Sequence, residues 1–345
     1  MAADKNYCMS SYLAFRYIVR EDADFAPGLH HEHFVQMPDE KKIAVCSAEE
    51  IDRALQVQFD ALVGRKLGIL LSGGMDSAIL AAYMPGCDAY TFRFLGGEYQ
   101  KEELRRAEYY ADQYGLKLHY VDVDWKMVQD CVDPVMRKKQ APVHSIEPQI
   151  YAGARHAMQD GIETMIIGDA SDYVFGGMDK LLSRDWLFEE FYRRFIYVEP
   201  AEVLKTPVDM KPVFEPFRQG DRIDYMGMMD TVTVDESYSS YKNAFEAADM
   251  PYHDPYEILK MAEPLDLNRI RNGESKYLIR ELFRMKYPEF PVPEKVPMPR
   301  PVDLYFKDWE GPKRKEFREN LDMSRFTGNQ KWLIWCLERF LNQYC

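Results

Sequence analysis

The sequence is short of the features that mark secreted, membrane-bound and nucleic-acid-binding proteins. Its six cysteines include no CxxC pair, which disfavours both a disulfide framework and a cysteine zinc site. No apolar run approaches the length of a membrane span, and the N-terminus lacks a secretory pattern. The 44 basic residues are outnumbered by 57 acidic ones and form no long stripe, so the net charge of −13 disfavours nucleic acid as a partner. We therefore predict a cytoplasmic globular protein that contacts neither a membrane nor nucleic acid.

What the sequence does contain is a glycine turn between a buried strand and a helix. The apolar run Leu67–Leu71 predicts the strand, and Met75 to about Met84 predicts the helix, which Pro85-Gly86 ends. Between them, Ser72-Gly73-Gly74 lets the backbone turn tightly, so that successive N–H groups and the positive end of the helix can face an anion. This pattern predicts a phosphate-binding loop; the alternative is a plain tight turn between a strand and a helix.

The loop matches neither of the two commonest nucleotide signatures. It has no Gly-Lys-Ser/Thr, as in a Walker loop, and it is not GxGxxG. Ser72-Gly-Gly-Met-Asp-Ser77 instead resembles the pyrophosphate loop of the ATP pyrophosphatase superfamily, whose members split ATP into AMP and pyrophosphate. The resemblance implies that ATP is bound with Mg²⁺, which the Asp76 carboxylate would hold. The residues of this loop assigned to ATP are Leu71, Ser72, Gly73, Gly74, Asp76 and Ser77.

Short apolar strands alternate with helices after this loop. Strands are predicted at Asp88–Phe94, Leu116–Asp122 and Thr164–Ile167, with helices from about Lys101 to Tyr114 and from Gln149 to Gln159. Such alternation predicts an α/β fold with a doubly wound parallel sheet, whose ligands lie beyond the carboxyl ends of the strands. We divide the chain into a short N-terminal cap (1–60), an α/β nucleotide core (about 61–180) and a largely helical part (about 181–345) that covers the substrate.

The first sixty residues have less regular patterns. Ser10–Val19 contains strand-forming residues, and Ala48–Val63 has helical spacing. His30, His31 and His33 are candidate metal ligands, but no carboxylate or cysteine pattern stands beside them. We therefore predict a polar loop at these histidines.

A second polar motif follows the strand Thr164–Ile167. It places Asp169 and Asp172 just past a strand end, where they would face the same crevice as the first loop, with Gly168 beside the nucleotide. Together with Asp76, Asp172 would suit a magnesium ion that bridges ATP phosphates. The alternative is that these aspartates only cap the following helix.

This second motif narrows the resemblance. Residues 168–177, Gly-Asp-Ala-Ser-Asp-Tyr-Val-Phe-Gly-Gly, are similar to the Gly-Glu-Gly-Ser-Asp-Glu-x-Phe-Gly-Gly signature of asparagine synthetases and β-lactam synthetases. Other matches occur in the same order: a Glu-x3-Ala-x3-Ala-x3-Gly helix from Glu103, a Lys-x-x-x-Arg helix within Glu274–Glu281, a proline-rich loop at 291–300 and a closing helix at 331–340. The resemblance runs from about residue 60 to the end. It implies an adenine nucleotide α-hydrolase-like fold.

The sequence departs from this family in two places. Family members begin with a glutaminase whose nucleophile is an N-terminal cysteine, whereas residue 2 here is alanine and the first cysteine is Cys8. We therefore expect free ammonia, ammonia from a separate glutaminase, or another amine as the second substrate. In the signature, Asp169 and Tyr173 stand where the family has glutamates, and Ala170 replaces a glycine. The resemblance thus implies retained adenylation with an altered acid substrate.

The implied reaction has two steps. A carboxylate, of which the amino acid aspartate is one candidate, attacks the α-phosphorus of ATP to give an acyl-adenylate and pyrophosphate; an amine then displaces AMP and an amide forms. The resemblance assigns Asp76 and Asp172 to Mg²⁺, Lys295 of the proline-rich loop to the pentacoordinate phosphorus, Asp169 or Tyr173 to deprotonation of the amine, and Thr91, Phe92 and Arg93 to adenine.

Two other functions are open at this point. A tRNA-thiolating enzyme of the same superfamily would show a catalytic cysteine pair and a basic face, and neither is visible. A non-catalytic ATP-binding subunit or sensor is consistent with the altered signature, but the retention of Asp76 and Asp172 argues against it. The oligomeric state is also open, with a homo-oligomer as a candidate.

Overall fold

The computed structural model of this chain describes residues 2–96, 100–294 and 300–345. Its strands are short, and all but two pair in parallel. In chain order they are β1 (Ala2–Ala3), β2 (Ala23–Asp24), β3 (Ile43–Val45), β4 (Leu67–Leu70), β5 (Asp88–Phe94), β6 (Lys117–Val123), β7 (Thr164–Ile166), β8 (Arg218–Gln219), β9 (Arg222–Ile223), β10 (Tyr252–His253) and β11 (Leu259–Met261).

The helices range from single turns to seventeen residues. They are α1 (Lys5–Phe15), α2 (Ala48–Asp60), α3 (Met75–Ala81), α4 (Lys101–Tyr114), α5 (Trp125–Lys139), α6 (Glu147–Gln159), α7 (Ser171–Val174), α8 (Asp179–Leu182), α9 (Phe188–Phe195), α10 (Pro200–Val203), α11 (Tyr225–Met228), α12 (Val234–Ala247), α13 (Leu267–Arg271), α14 (Tyr277–Lys286), α15 (Val302–Tyr305) and α16 (Gly328–Tyr344). A π-helical turn, Met229–Thr233, leads into α12.

A five-stranded parallel sheet forms the centre of the molecule, in the order β10–β7–β4–β5–β6. Ile69 of β4 pairs with Ala89 on one side and with Ile166 on the other, and all three residues are buried. Strands covered on both faces consist of nearly continuous apolar residues, which is why these runs were recognisable in the sequence. The predicted doubly wound parallel sheet is confirmed.

The order of the strands reverses at β4. From β4 the chain moves outward to β5 and β6, and then returns through α5 and α6 to β7 on the other side of β4. In open parallel sheets the crevice at such a reversal is where ligands bind. The reversal brings together the loop after β4 and the loop after β7, which are the two motifs that the sequence singled out.

Helices cover both faces of the sheet. On one face, α14 packs against α2 and α3, and α3 packs against α4. On the other, α5, α6 and α12 pack against one another, and apolar residues of α6 and α12 form a second core with β5, β6 and β7. No helix in the described ranges combines the length and the apolar character that a membrane span requires.

The N-terminal segment differs from its prediction. Instead of a strand within Ser10–Val19, the chain forms α1, in which every residue from Tyr7 to Phe15 is buried. The helix lies against α16 and α10. Its aromatic residues and the following Ile18 and Val19 suggested a strand, but burial on nearly all sides, which includes Ser10 and Ser11, lets a helix form without a separate polar face. The prediction of a strand was therefore wrong.

Candidate active site

The loop after β4 is closed by its own hydroxyl groups. The Ser77 hydroxyl accepts a hydrogen bond from the N–H of Ser72 at 3.0 Å, and the Ser72 hydroxyl accepts one from the N–H of Gly74 at 3.1 Å. The two hydroxyl oxygens are themselves 3.0 Å apart. These contacts hold the turn in one conformation before α3 begins at Met75.

Gly73 is required because the loop touches the start of α4. A Cβ atom at this position would lie 2.6 Å from the carbonyl oxygen of Glu103 and 2.8 Å from its Cα, which no real side chain tolerates. The Glu103 side chain is mostly buried, and this burial raises the pKa of its carboxyl group. Close packing of Glu103 against Gly73 therefore fixes the position of the loop after β4. The sequence did not indicate this role for Glu103.

A lysine joins the two carboxylates that were predicted to hold magnesium. The Lys276 ammonium lies 2.7 Å from Oδ2 of Asp76 and 2.5 Å from Oδ1 of Asp172. The other oxygen of Asp76 accepts a hydrogen bond from the Ser171 hydroxyl at 2.7 Å. The structure thus brings Asp76 and Asp172 together, as predicted, and adds Lys276, for which the sequence patterns indicated no role.

The position of Lys276 is set by an unusual backbone conformation. Its φ is +54°, in the left-handed region that non-glycine residues rarely adopt, and it is the N-cap of α14. The side chain is 3% exposed. Burial opposes its charge, but the Asp76 and Asp172 carboxylates outweigh this effect and raise the pKa of the ammonium group above its usual value. Strained residues of this kind concentrate at functional sites. The Lys-x-x-x-Arg resemblance was the only sequence signal for it.

Gly177 completes the packing around this cluster. A Cβ atom there would overlap with Oδ1 of Asp172 and with Cε of Lys276. The second glycine of the Phe-Gly-Gly signature is therefore needed to let the lysine reach the carboxylates.

The two carboxylates fit a magnesium ion. Their oxygens are the hard, anionic ligands that Mg²⁺ prefers, and both side chains keep a quarter or more of their surface exposed towards the crevice. Both already contact a single cationic atom, the Lys276 nitrogen. In the presence of ATP, Asp76 and Asp172 would supply the protein's ligands, and phosphate oxygens and water the others.

A cavity opens from this cluster along the ends of β4, β5 and β7. Nine of the residues predicted for ATP, magnesium or catalysis line it: Leu71, Ser72, Asp76, Ser77, Thr91, Phe92, Gly168, Asp169 and Asp172. Residues that the sequence did not single out complete the lining, namely Leu70, Tyr90, Phe94, Gln100, Glu103, Ile167 and Tyr241. Gly73 and Gly74 form the turn at its edge.

Arg93 is not part of this cavity. Its guanidinium group pairs with the Asp122 carboxylate on β6, with contacts of 2.6 and 3.0 Å, and lies over the Tyr120 ring. Asp122 is the residue directly opposite Arg93 in the sheet, so an ion pair across the two strands holds the side chain on the outer surface. The structure does not bring the Arg93 side chain together with Thr91 and Phe92.

A second and larger cavity adjoins the first. It measures about 430 Å³ against about 190 Å³, and the two share Asp169, Asp172 and Tyr241. Aromatic rings form much of its wall, those of Tyr173, Phe195, Tyr197 and Tyr241. The two cavities therefore meet at these three residues.

Charged side chains from distant parts of the chain meet at the back of the second cavity. The Arg16 guanidinium donates to Glu236 at 2.9 Å and to Nε2 of His144 at 3.0 Å. The Arg300 guanidinium donates to the same His144 nitrogen at 2.8 Å and to the Ser145 hydroxyl at 3.4 Å. Burial, reinforced by the Arg16 and Arg300 charges, holds the pKa of His144 well below its usual value, so the imidazole is neutral. None of these residues was singled out in the sequence.

Arg300 and Arg16 differ in how their charges are compensated. Arg16 has a carboxylate partner in Glu236. For Arg300, the described part of the chain offers only the neutral His144 and Ser145 within hydrogen-bonding distance. Burial, reinforced by the nearby Arg16 charge, lowers the pKa of Arg300 to about 10. Among the described residues no carboxylate pairs directly with Arg300, although the nearby Glu236 charge favours its protonated form.

The two candidate catalytic side chains of the signature have different protonation behaviour. Burial raises the pKa of Asp169 to about 7, and the Asp172 and Glu236 charges act in the same direction, whereas a 2.7 Å hydrogen bond from Ser237 opposes the rise. Burial also raises the pKa of Tyr173 well above its usual value. Near neutral pH, Asp169 can accept a proton, whereas Tyr173 stays a neutral phenol. Lys295, the third candidate, lies outside the described residues.

Comparisons with known proteins place the chain in a family. A family model described as asparagine synthase matches residues 48–325, well over half of the chain. The 7-cyano-7-deazaguanine synthase of Azotobacter vinelandii is 35% identical over 99 residues, which cover 27% of this chain and 44% of that protein. The chain thus spans less than half the length of this curated relative.

Two solved structures resemble the chain more distantly. The U34-tRNA thiolase NcsA from Methanococcus maripaludis, solved with its 4Fe-4S cluster, aligns over 86% of this chain and 80% of its own, at 13% identity and a TM-score of 0.32. NMN synthetase from Francisella tularensis aligns over 74% of this chain and 99% of its own, at 12% identity and a TM-score of 0.27.

The matched region of the family model contains both loops and the carboxylate–lysine cluster. The chain therefore belongs to the asparagine synthase family, within the ATP-utilising enzymes that carry a pyrophosphate loop.

Proposed function

We propose that this protein is an ATP-dependent ligase that adenylates a carboxylic acid and transfers the acyl group to ammonia or another amine. The observation that carries the proposal is the junction of two cavities at Asp169, Asp172 and Tyr241. One cavity has a phosphate loop at its edge, and the other has a positive charge at its back. An acid held in the second cavity would present its carboxylate to the α-phosphorus of ATP in the first.

In the first step, an oxygen of the acid forms a bond to the α-phosphorus and the bond to the β-phosphate oxygen breaks, so pyrophosphate leaves. The N–H groups and hydroxyls of the loop Ser72–Ser77 would orient the β- and γ-phosphates. The Lys276 ammonium lies between Asp76 and Asp172, where it would offset negative charge as the pyrophosphate separates. Mg²⁺ bound by these two carboxylates would supply further neutralisation of the phosphates.

In the second step, the amine nitrogen attacks the acyl carbon, AMP leaves, and the nitrogen loses a proton. Asp169 lines both cavities and titrates near neutrality, so it is the better candidate to accept this proton. Tyr173 lines only the second cavity and stays protonated, which suits a hydrogen-bond donor to the substrate. The amine would be free ammonia, ammonia from a separate glutaminase, or an amino group of a larger molecule.

The second cavity also indicates the class of acid. Arg300 is a partly buried cation with no carboxylate in direct contact among the described residues, and Arg16 lies beside it. An acid with a second anionic group, such as a dicarboxylate or a phosphorylated acid, would place that group at the two guanidiniums. The cavity is of the size that holds a ligand larger than a small amino acid, and its aromatic walls suit an apolar or ring-bearing body.

The positions of the cysteines favour this ligase over sulfur transfer. In the described parts of the chain, the lining of the two cavities contains no cysteine. Cys8 and Cys336 are buried in the core instead. An enzyme that transfers sulfur through its own cysteine needs a reactive thiol beside the activated atom.

An assay of AMP, pyrophosphate and amide tests the proposal. The purified chain would be incubated with Mg-ATP and ammonium across a panel of acids, with aspartate, longer dicarboxylates and phosphorylated acids set against matched monoacids. Acid-dependent formation of AMP and pyrophosphate in equal amounts supports adenylation, and an amide detected by mass spectrometry supports the transfer. ATP binding without pyrophosphate from any acid, with or without an added glutaminase, would contradict the ligase and favour a non-catalytic ATP-binding role.

Removing the Arg300 charge should weaken binding of the acid substrate but not of ATP. We expect Arg300→Gln to raise the KM for an acid with a second anionic group by about tenfold or more, since hydrogen bonds to charged groups contribute about 1.5–3 kcal/mol. The KM for ATP and for monoacids should stay within about twofold, because no contact to them is lost. Arg193→Gln is the matched control, because Arg193 lies on α9 beside the cavity residue Arg194 but does not line the cavity. A uniform loss for all acids would refute a role in recognising the second charge.

The pH dependence of amide formation should follow Asp169. Below pH 7 its carboxyl group is mostly protonated and cannot accept a proton, so the transfer rate should rise about tenfold per pH unit and level off above about 7. Rates from a preformed acyl-adenylate would be compared with those of Asp169→Asn, because this ratio cancels titration of the amine itself. Ser237→Ala removes the hydrogen bond that lowers the pKa of Asp169, and should move the midpoint to higher pH. An identical profile in wild type and Asp169→Asn would exclude Asp169 as the base.

A further inference from the structure

Two histidines and an aspartate converge on the side of the sheet away from the active site. His119 is the third residue of β6, His156 lies in the last turn of α6, and Asp160 directly follows that helix. The strands are parallel, so the early residues of β5 and β6 stand at the edge opposite the carboxyl ends that carry the ATP cavity. All three side chains are about one-third exposed. None of them has a role in the proposed ligase reaction.

The ligand atoms already lie close to metal-binding distances from one another. Nδ1 of His119 is 3.9 Å from Oδ2 of Asp160, and Nε2 of His156 is 3.8 Å from the same oxygen. All three atoms lie within 4.8 Å of one another. Among the described residues, no other group of three or more His, Cys, Asp or Glu side chains brings its ligand atoms this close together. Ligands of a tetrahedral zinc ion with bonds of about 2.0–2.1 Å are about 3.4 Å apart. Small side-chain rotations would close the difference.

The surroundings orient His119 as they would in a metal site. Its Nε2 lies 2.8 Å from Oδ1 of Asp88, the first residue of β5. A proton on Nε2 that is donated to this carboxylate leaves the lone pair of Nδ1 directed at Asp160. A carboxylate behind a ligating imidazole fixes its tautomer and raises its basicity, and this arrangement is typical of zinc sites.

Tyr90 contacts all three candidate ligands. Its ring stacks on His119 with 4.9 Å between the centroids and meets His156 edge-on at 5.5 Å. Its hydroxyl donates to Oδ2 of Asp160 at 2.9 Å. His119 and Tyr90 are directly opposite each other on neighbouring strands, so the sheet itself sets this stack. The three candidate ligands are thus positioned by contacts that do not involve a metal.

We propose that His119, His156 and Asp160 bind one zinc ion, with a water molecule in the fourth position. Two imidazole nitrogens and one carboxylate favour Zn²⁺ over Mg²⁺, which prefers oxygen ligands only. The ion would tie β6 to the end of α6, four residues before β7 begins and leads to the signature loop. The site is separate from the predicted magnesium site, but Tyr90 connects it to the ATP cavity, which the same residue also lines.

Zinc titration of the full chain tests this proposal. Protein freed of metal with a chelator would be titrated with Zn²⁺ against a chromogenic competitor, without ATP or Mg²⁺. We expect one tight equivalent in the wild type and a loss of affinity of more than a hundredfold in His119→Asn and His156→Asn. Asp88→Ala, which keeps all three ligands, should lose about 10–100-fold. Zinc should also raise the Tm of the wild type and leave that of His119→Asn unchanged.

Two controls make the result specific. His33→Asn alters the other histidine cluster, where Nε2 of His31 and Nε2 of His33 are 3.1 Å apart, and should retain the tight equivalent. Asp76→Asn should retain it as well, because Asp76 belongs to the active site. The absence of a tight equivalent in the folded wild type would overturn the proposal. Retention of that equivalent in His119→Asn, or its loss in His33→Asn, would also do so.

Discussion

Replacing Asp76 with asparagine should lower the rate of acid-dependent pyrophosphate release by about a hundred- to a thousandfold. Asparagine has nearly the same shape, so the hydrogen bond from Ser171 can persist. The substitution removes one of the two negative charges that meet at Lys276 and that would hold Mg²⁺. Pyrophosphate would be measured with the best acid of the panel, and nucleotide binding separately with a fluorescent ATP analogue.

The control for this prediction is Asp60→Asn. Asp60 is an exposed aspartate at the end of α2, outside both cavities, and its carboxylate accepts a hydrogen bond from the Gln56 side-chain amide at 2.8 Å. We expect this variant to react at nearly the wild-type rate. Full activity in Asp76→Asn would show that Asp76 holds neither a metal nor the phosphates.

Replacing Lys276 with methionine should have the largest effect on stability of any substitution near the active site. The change leaves Asp76 without the one cationic partner that the structure describes for it, while the aliphatic part of the buried side chain is kept. Breaking a buried ion pair costs about 3–5 kcal/mol, and we expect about 3 kcal/mol here because the Asp76 and Asp172 side chains are 25% and 29% exposed. Chemical denaturation at pH 7 would measure the free energy of unfolding.

The same variant should depend on magnesium more strongly than the wild type. A divalent ion at Asp76 and Asp172 would replace part of the missing positive charge, so Mg-ATP should raise the Tm of Lys276→Met by more than that of the wild type. Lys126→Met is the matched control, because Lys126 is exposed and, within the described ranges, forms its ion pair with exposed Asp130 on its own helix. Its denaturation midpoint should equal that of the wild type. Equal stability of Lys276→Met and Lys126→Met would contradict a structural role for the buried ammonium.

Much of the fold could be predicted because its signals are local. The strand Asp88–Phe94 and the helix Lys101–Tyr114 have the predicted bounds, and Gly115 ends that helix in the left-handed conformation that glycine allows. The strand β10 was missed, since two residues, Tyr252 and His253, are too short to show a periodic pattern. It matters to the site, because Asp254 after β10 accepts a hydrogen bond from the N–H of Ala170 at 2.7 Å and so fixes the signature loop.

The region around α12 shows the limit of sequence patterns most clearly. The chain enters this helix through the π-helical turn Met229–Thr233, and the residues that follow include Glu236 and Ser237. Glu236 pairs with Arg16, and Ser237 donates a hydrogen bond to Asp169. Both contacts influence the charged side chains that line the second cavity. A π-turn is a local widening of a helix that tertiary packing maintains, and no periodicity in the sequence marks it.

The sequence by itself determined the parallel sheet, the phosphate loop and the paired aspartates. Each of these depends on a short run of residues whose backbone conformation is set locally, by glycine, by apolar strand residues and by a helix start. Only the tertiary structure decided which distant side chains complete the site. Lys276 reaches Asp76 across 200 residues, and Arg16 reaches Glu236 across 220. Such contacts arise from the way α1, α12 and α14 pack against other helices of the fold, and this packing is a property of the whole core, not of any single segment.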